Sequence, residues 1–185
     1  MAKSEVYLRV MNKGLVAAMK ELKLHREGEM RRKILDFQEI LAKHPDAVLG
    51  DADICPLTHK FTDGIYVREI FIPKGTYIVG KIHKHEHPNF LMRGTVEVVT
   101  EGGGLETLTG PMSIISPAGT KRALKALTDL VWITVHHNPT NTQNLEELEQ
   151  IVIAPSYEAY DKFISKQRSF LNRILSKVKT KLLQL

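Results

Sequence analysis

Five of the eight histidines in this 185-residue chain fall in two short stretches, Lys81-Ile82-His83-Lys84-His85-Glu86-His87-Pro88-Asn89 and the pair His136-His137. Imidazole nitrogen is a common ligand for zinc, copper, iron and nickel. On an extended strand, successive side chains point to opposite faces, so His83, His85 and His87 would share one face and leave Lys84 and Glu86 on the other. That shared face predicts a metal site. At about 3.3 Å of rise per residue, a straight strand separates His83 from His87 by roughly 13 Å. The chain must bend if all three hold one ion, and Pro88, which lacks an amide proton and restricts His87, is where the bend is expected. The neighbouring pair His83 and His85 is the preferred pair of ligands. The competing reading is a solvated or hydrogen-bonded histidine face without a metal.

The elements that position such a site must come from a chain that is 43% hydrophobic and 25% charged, enough for one well-buried core with appendages and too short for two large domains. Cys55 is the single cysteine, which excludes an internal disulfide. The opening Met-Ala-Lys-Ser-Glu carries no apolar leader core, and no apolar run approaches the roughly 18 residues of a membrane span. A soluble, cytoplasmic protein is expected, with no membrane partner.

The net charge of +5 is unevenly placed. Residues 1 to 45 carry ten basic and six acidic side chains, residues 46 to 156 nine and thirteen, and residues 157 to 185 seven and two. Basic ends around an acidic middle favour packing against the body or solvated helix faces over nucleic acid, for which no motif is present.

Apolar residues recur at three- and four-residue steps from residues 4 to 24 and again from Met30 to Leu41, ending at His44-Pro45. A polar break around residues 26 to 29 predicts two helices. From Cys55 to His137, short β-rich runs alternate with turn signals such as Asp63-Gly64, Pro73-Lys74-Gly75 and Arg93-Gly94, predicting eight or nine antiparallel strands in a sandwich or barrel. One of these runs is residues 76 to 85. The run Gly102-Gly103-Gly104 reads as a hairpin loop, because no helix start follows it to cradle a phosphate. Beyond Pro139 the pattern is helical again: Asn144 caps a short helix, and Ser156 begins a long one whose apolar stripe runs from Tyr160 to Leu182. At 1.5 Å per residue that helix reaches about 40 Å, longer than a small barrel is wide. Part of its stripe is expected to meet another chain.

The middle segment resembles the cupin family of small jelly-roll barrels, whose metal ligands come from two short motifs. Gly75, His83, His85 and Gly94 fill the first motif, with His87 best matching its glutamate position when counted back from Gly94. In the second, Pro117-Ala118-Gly119-Thr120-Lys121-Arg122 places Arg122 where the motif has histidine. The wording Lys-Ile-His-Lys-His-Glu-His and Val-Trp-Ile-Thr-Val-His is also similar to small cupin proteins encoded by tailed bacteriophages. The resemblance implies a mainly β fold: a cupin-like double-stranded β-helix over residues 46 to 138, with helical arms at 1 to 45 and 139 to 185. It also implies a metal site, and, for a phage-encoded protein, the host cytoplasm or the virion as location and phage structural proteins as partners.

On the last strand, Trp132, Thr134 and His136 share one face and His137 takes the other; His136 is chosen as the inward one, with Val131, Ile133 and Val135 outward beneath the helices. The expected metal ligands are therefore His83, His85, His87 and His136, holding a divalent transition metal such as zinc, iron, nickel or manganese. Arg122 is the candidate ligand-binding residue, a permanent cation suited to carboxylate or phosphate. Three functions fit: a non-catalytic assembly module that oligomerises through its C-terminal helix, which is favoured; an oxygenase with a three-histidine iron site; and a binding protein for a small anionic ligand.

Overall fold

The computed structural model describes residues 13 to 48 and 53 to 182, without the side chains of 13 to 26 and 177 to 182. The turn-punctuated middle forms β1 (Leu57–Thr62), β2 (Ile65–Ile72), β3 (Tyr77–Val79), β4 (Ile82–His83), β5 (His87–Arg93), β6 (Thr95–Thr100), β7 (Gly104–Thr109), β8 (Met112–Ser116), β9 (Arg122–Ala126) and β10 (Leu130–His137). All of them but β4 build two antiparallel sheets, ordered β1-β2-β10-β5-β8 and β3-β9-β6-β7. That interleaving of early and late strands is the winding of a jelly roll, or double-stranded β-helix. The protein is mainly β, with helices at both ends of the described chain.

Strand alternation fills the space between the sheets in layers. The register sets Trp132 opposite both Ile70 and Leu91, and Thr134 opposite Arg68 and Asn89, while His136 pairs with Tyr66 and His87 with Ser116. One end of the barrel is an apolar core of Ile72, Leu91, Val96, Val98, Leu130 and Trp132. The next layers along the same strands are polar, and the last is imidazole. Gly94 lets β5 turn into β6: its φ is +96°, and a Cβ there would stand 2.2 Å from the Asp129 carbonyl oxygen.

The segment expected as one strand over residues 76 to 85 divides into β3 and β4, the chain leaving sheet pairing at Gly80 and Lys81. β4 pairs instead with β11 (Ile153–Ala154), a strand supplied from beyond the barrel. The N-terminal arm differs too. Residues 13 to 42 form one helix, α1 (Lys13–Ala42), which runs through the polar stretch read as a break. Arg26, Glu27 and Glu29 are good helix formers, and Gly28 alone costs only about 1 kcal/mol; residues 4 to 12 of the first expected helix lie outside the described residues. α1 packs on β6 and β9 and buries Ile34.

After β10, Asn144 accepts hydrogen bonds from the amides of Glu146 and Glu147 and starts α2 (Leu145–Val152), whose Leu148 and Val152 pack on Tyr66. Ser156 Oγ accepts from the Ala159 amide at 3.1 Å and starts α3 (Tyr157–Leu182). Tyr157, Tyr160, Phe163 and Ile164 join Ile82 and Ala154 in a small cluster. Every side chain from Ser165 to Ser176 is exposed, Phe170 and Leu171 among them.

Candidate metal centre

β4 and β5 deliver His83 and His87, and β10 delivers His136. The three histidines do not meet on a straight strand face. After His83 the chain turns through Lys84, His85 and Glu86 before β5 begins, so the bend lies ahead of Pro88, which sits inside β5 opposite Ile115. The turn folds His83 and His87 toward each other, with ring centres 4.3 Å apart; His136 is 5.1 Å from His83 and 4.6 Å from His87. Each ring offers a nitrogen to a group in which all the donor atoms lie within 4.8 Å of one another.

His85 is the correction. At the apex of the turn it is exposed, and its ring stands edge-on to Phe163 of α3 at 5.4 Å. It is outside the three-histidine group. Regular alternation would have put His83, His85 and His87 together; the two-residue strand and the turn remove His85 while bringing together the two histidines that alternation alone leaves farthest apart. His137 points outward, as expected from its neighbour's burial.

The chemistry of the three rings suits a cation. Burial pushes the His83 imidazolium down to about 2 and that of His136 down to about 3, and His87 is lowered for the same reason. All three are neutral at pH 7, with lone pairs free to coordinate. The Nδ1 of His87 donates to the His85 carbonyl oxygen at 3.1 Å, which leaves its acceptor nitrogen at Nε2. That Nε2 is buried and has no hydrogen-bond partner. An orphaned lone pair in the interior is costly, and a metal ion shared with His83 and His136 would satisfy it. The three imidazoles fit an ion such as zinc, iron or nickel.

Beside the imidazoles lies a polar network that the sequence did not disclose. Asn89, fully buried, accepts at Oδ1 from Trp132 Nε1 and Arg122 Nη1, both at 3.1 Å. Its amide nitrogen donates to Ser116 Oγ at 2.6 Å and to the His87 carbonyl at 3.2 Å. Arg122 also donates to Ser116 Oγ, and its guanidinium lies 5.6 Å from the centre of the Trp132 ring. One signal was available: Asn89 is two residues from His87, hence on the same inward face. Arg122 points into the barrel, and its charge lowers the proton affinity of His83 and His87.

Arg122 also forms part of the wall of a cavity of about 380 Å³ that reaches past Thr100, Glu101 and Ile114 to Glu27 and Arg31 of α1. At its edge the buried Glu101 carboxylate accepts from the Lys121 amide, at 3.0 and 3.3 Å, and from the Tyr157 hydroxyl. Burial and that carboxylate hold the Tyr157 proton far above the usual phenol range. Arg31 stacks on the Tyr157 ring at 4.5 Å, so α1 and α3 meet over this corner.

The strand order and inward layers make the fold a cupin-type double-stranded β-helix. No family profile matches the chain, and no curated protein matches it in sequence. Similar solved structures include ectoine synthase from P. lautus, at 17% identity over 60% of this chain and 82% of that one, with a TM-score of 0.44. KdgF from Halomonas sp. is 17% identical over 47% and 82% of the two chains, with a TM-score of 0.40. A RmlC-like cupin family protein from Methanocaldococcus jannaschii is 14% identical over 49% and 85%, with a TM-score of 0.40.

Proposed function

We propose that the protein binds one divalent transition-metal ion on His83, His87 and His136 and presents its open side to a small anionic molecule held by Arg122. The observation that carries this reading is the buried, unpartnered Nε2 of His87, on a ring that groups with those of His83 and His136 so that one nitrogen from each lies within 4.8 Å of the others. A structural zinc site usually closes itself with four protein ligands, whereas three ligands leave a position for water or substrate. Arg122 supports the anionic class, since its permanent charge is half-buried beside the imidazoles and also borders the cavity. When bound, the ion would supply Lewis acidity, or redox chemistry in the case of iron, at that open position. The chain's own part is to hold three imidazoles neutral, fix the His87 tautomer through the His85 carbonyl, and anchor the guanidinium through Asn89 and Ser116.

Titrating cobalt-loaded protein with acetate, oxalate and phosphate tests this reading through the visible bands of the metal. At least one anion should change the spectrum, and Arg122→Gln should weaken that response by tenfold or more. Spectra indifferent to every anion, or unchanged affinity in the variant, would contradict it.

A second reading, a non-catalytic assembly module, is favoured by α3, where Phe170, Leu171 and Leu175 are more than half exposed. In it the ion staples the barrel and the helix meets another protein, a component of the phage particle if the chain is phage-encoded. A metal-dependent uptake of oxygen by the iron-loaded protein, lost in His87→Ala, would exclude it in favour of the oxygenase form of the first reading.

A further inference from the structure

Only the start of α3 is seated on the barrel. Tyr157, Tyr160, Phe163 and Ile164 pack beside Ile82 and Ala154, whereas every side chain from Ser165 to Ser176 is exposed. Helical phase orders this exposed length. At about 100° per residue, Phe170, Ile174, Leu171 and Leu175 fall in one arc of roughly 140°, interrupted by Gln167 alone. Arg168 borders that arc on one side, and Lys166 and Arg173 border it on the other. Ser165, Ser169, Asn172 and Ser176, small and uncharged, fill the face behind. Phe170, Leu171, Ile174 and Leu175 are 61%, 56%, 42% and 65% exposed.

The charge of this part of the helix has one sign. The acids of α3 stand near its start, where Glu158 pairs with Lys162 at 2.6 Å and Asp161 lies 3.9 Å from Arg31 of α1. From Lys162 to Leu185 the sequence has seven basic residues and no acidic one.

We infer that the exposed length of α3 is a docking surface for an anionic lipid bilayer, on which the helix lies flat. The placement of the cations selects that occupant. They flank the apolar arc on both sides, where ammonium and guanidinium groups reach headgroup phosphates while the arc enters the acyl boundary and the serine face stays in water. Each cation close to an anionic surface strengthens binding about fivefold, so Lys166, Arg168 and Arg173 together supply roughly a hundredfold. A second copy of the helix would instead set cations against cations at both edges of the seam, and nucleic acid would leave the apolar arc in water. The expectation of no membrane partner rests on the lack of a spanning segment. No described helix is long and apolar enough to cross a membrane, but a helix lying in the interface needs no span. The inference does not depend on the metal centre.

Vesicle co-sedimentation of the full-length protein tests it, comparing phosphatidylcholine vesicles with vesicles of equal parts phosphatidylcholine and phosphatidylglycerol. Wild type should bind the anionic vesicles at least tenfold more tightly than the neutral ones, and salt at about 0.5 M should weaken that binding. Phe170→Ser/Leu171→Ser/Leu175→Ser and Lys166→Gln/Arg168→Gln/Arg173→Gln should each lose tenfold or more with unchanged circular-dichroism spectra. Phe170→Trp keeps the test decisive if a triple variant fails to fold: its fluorescence should shift to the blue when anionic vesicles are added. No binding to the anionic vesicles would overturn the assignment and leave the face to an acidic protein. Equal binding to neutral vesicles, full affinity in the triple serine variant, or an unshifted Phe170→Trp emission would overturn it as well.

Discussion

His83 and His87 face each other across a three-residue turn with ring centres 4.3 Å apart, nearer than either ring is to His136. The pair exists because β4 stops after two residues, and because β11 gives His83 a backbone partner in Ile153. His85, between them in sequence, faces Phe163. A single-residue comparison separates these roles. His83→Ala should lose bound metal, and His85→Ala should retain it at wild-type stoichiometry; loss in His85→Ala would mean that the exposed ring is a ligand.

Acid should destabilise the metal-free protein in a defined direction. The His83 and His136 imidazoliums are pushed down to about 2 and about 3 in the fold, against the ordinary value of 6.5. Above pH 6.5 both states are neutral and the full stability is present. As pH falls below 6.5 the unfolded chain takes up protons that the fold refuses, so stability declines until the folded values are reached, with a limiting slope of about 1.4 kcal/mol per pH unit for each histidine. The urea midpoint of metal-free protein should therefore drop between pH 7 and pH 5. A flat midpoint over that window would contradict the burial of the two rings.

Much of this fold was legible because period-two alternation and turn residues report directly on strands. The turn signals Asp63-Gly64, Pro73-Lys74-Gly75 and Gly94 fall between β1 and β2, β2 and β3, and β5 and β6, and the inward choice of His136 followed from its phase with Trp132. The site was legible in its residue types and not in its geometry. Alternation holds only while a strand lasts, and nothing local in Lys-His-Glu announces that β4 ends at His83 to pair with a segment seventy residues away. The Asn89 hub was hidden for a related reason: its partners Ser116, Arg122 and Trp132 come from three other strands, so only the register reveals them.

That hub makes a stability prediction. Asn89→Leu removes the acceptor of both Trp132 Nε1 and Arg122 Nη1 in a fully buried position. Each orphaned donor costs about 1 to 3 kcal/mol, more for the charged one, so denaturant unfolding should report a loss of at least about 2 kcal/mol. A change under about 0.5 kcal/mol, the usual size for an uninvolved surface site, would show that the network does not hold the layer together.

Gly119 couples the second motif to α3. Its φ is +82°, its amide donates to the His83 carbonyl at 2.7 Å, and a Cβ there would stand 2.5 Å from the Tyr160 ring. Gly119→Ala must therefore strain the backbone and displace Tyr160. A fall in Tm should result, and Gly119→Ala/Tyr160→Ala should recover part of it. An unchanged Tm in the single variant would mean that the start of α3 is not seated on this loop.

Elemental analysis of the purified full-length protein, expressed with zinc, iron, nickel and manganese available, bears most directly on the three-histidine centre. The account predicts close to one transition-metal ion per chain, and none above background in a folded His87→Ala variant. Wild-type protein without metal, or His87→Ala retaining its full complement, would contradict it.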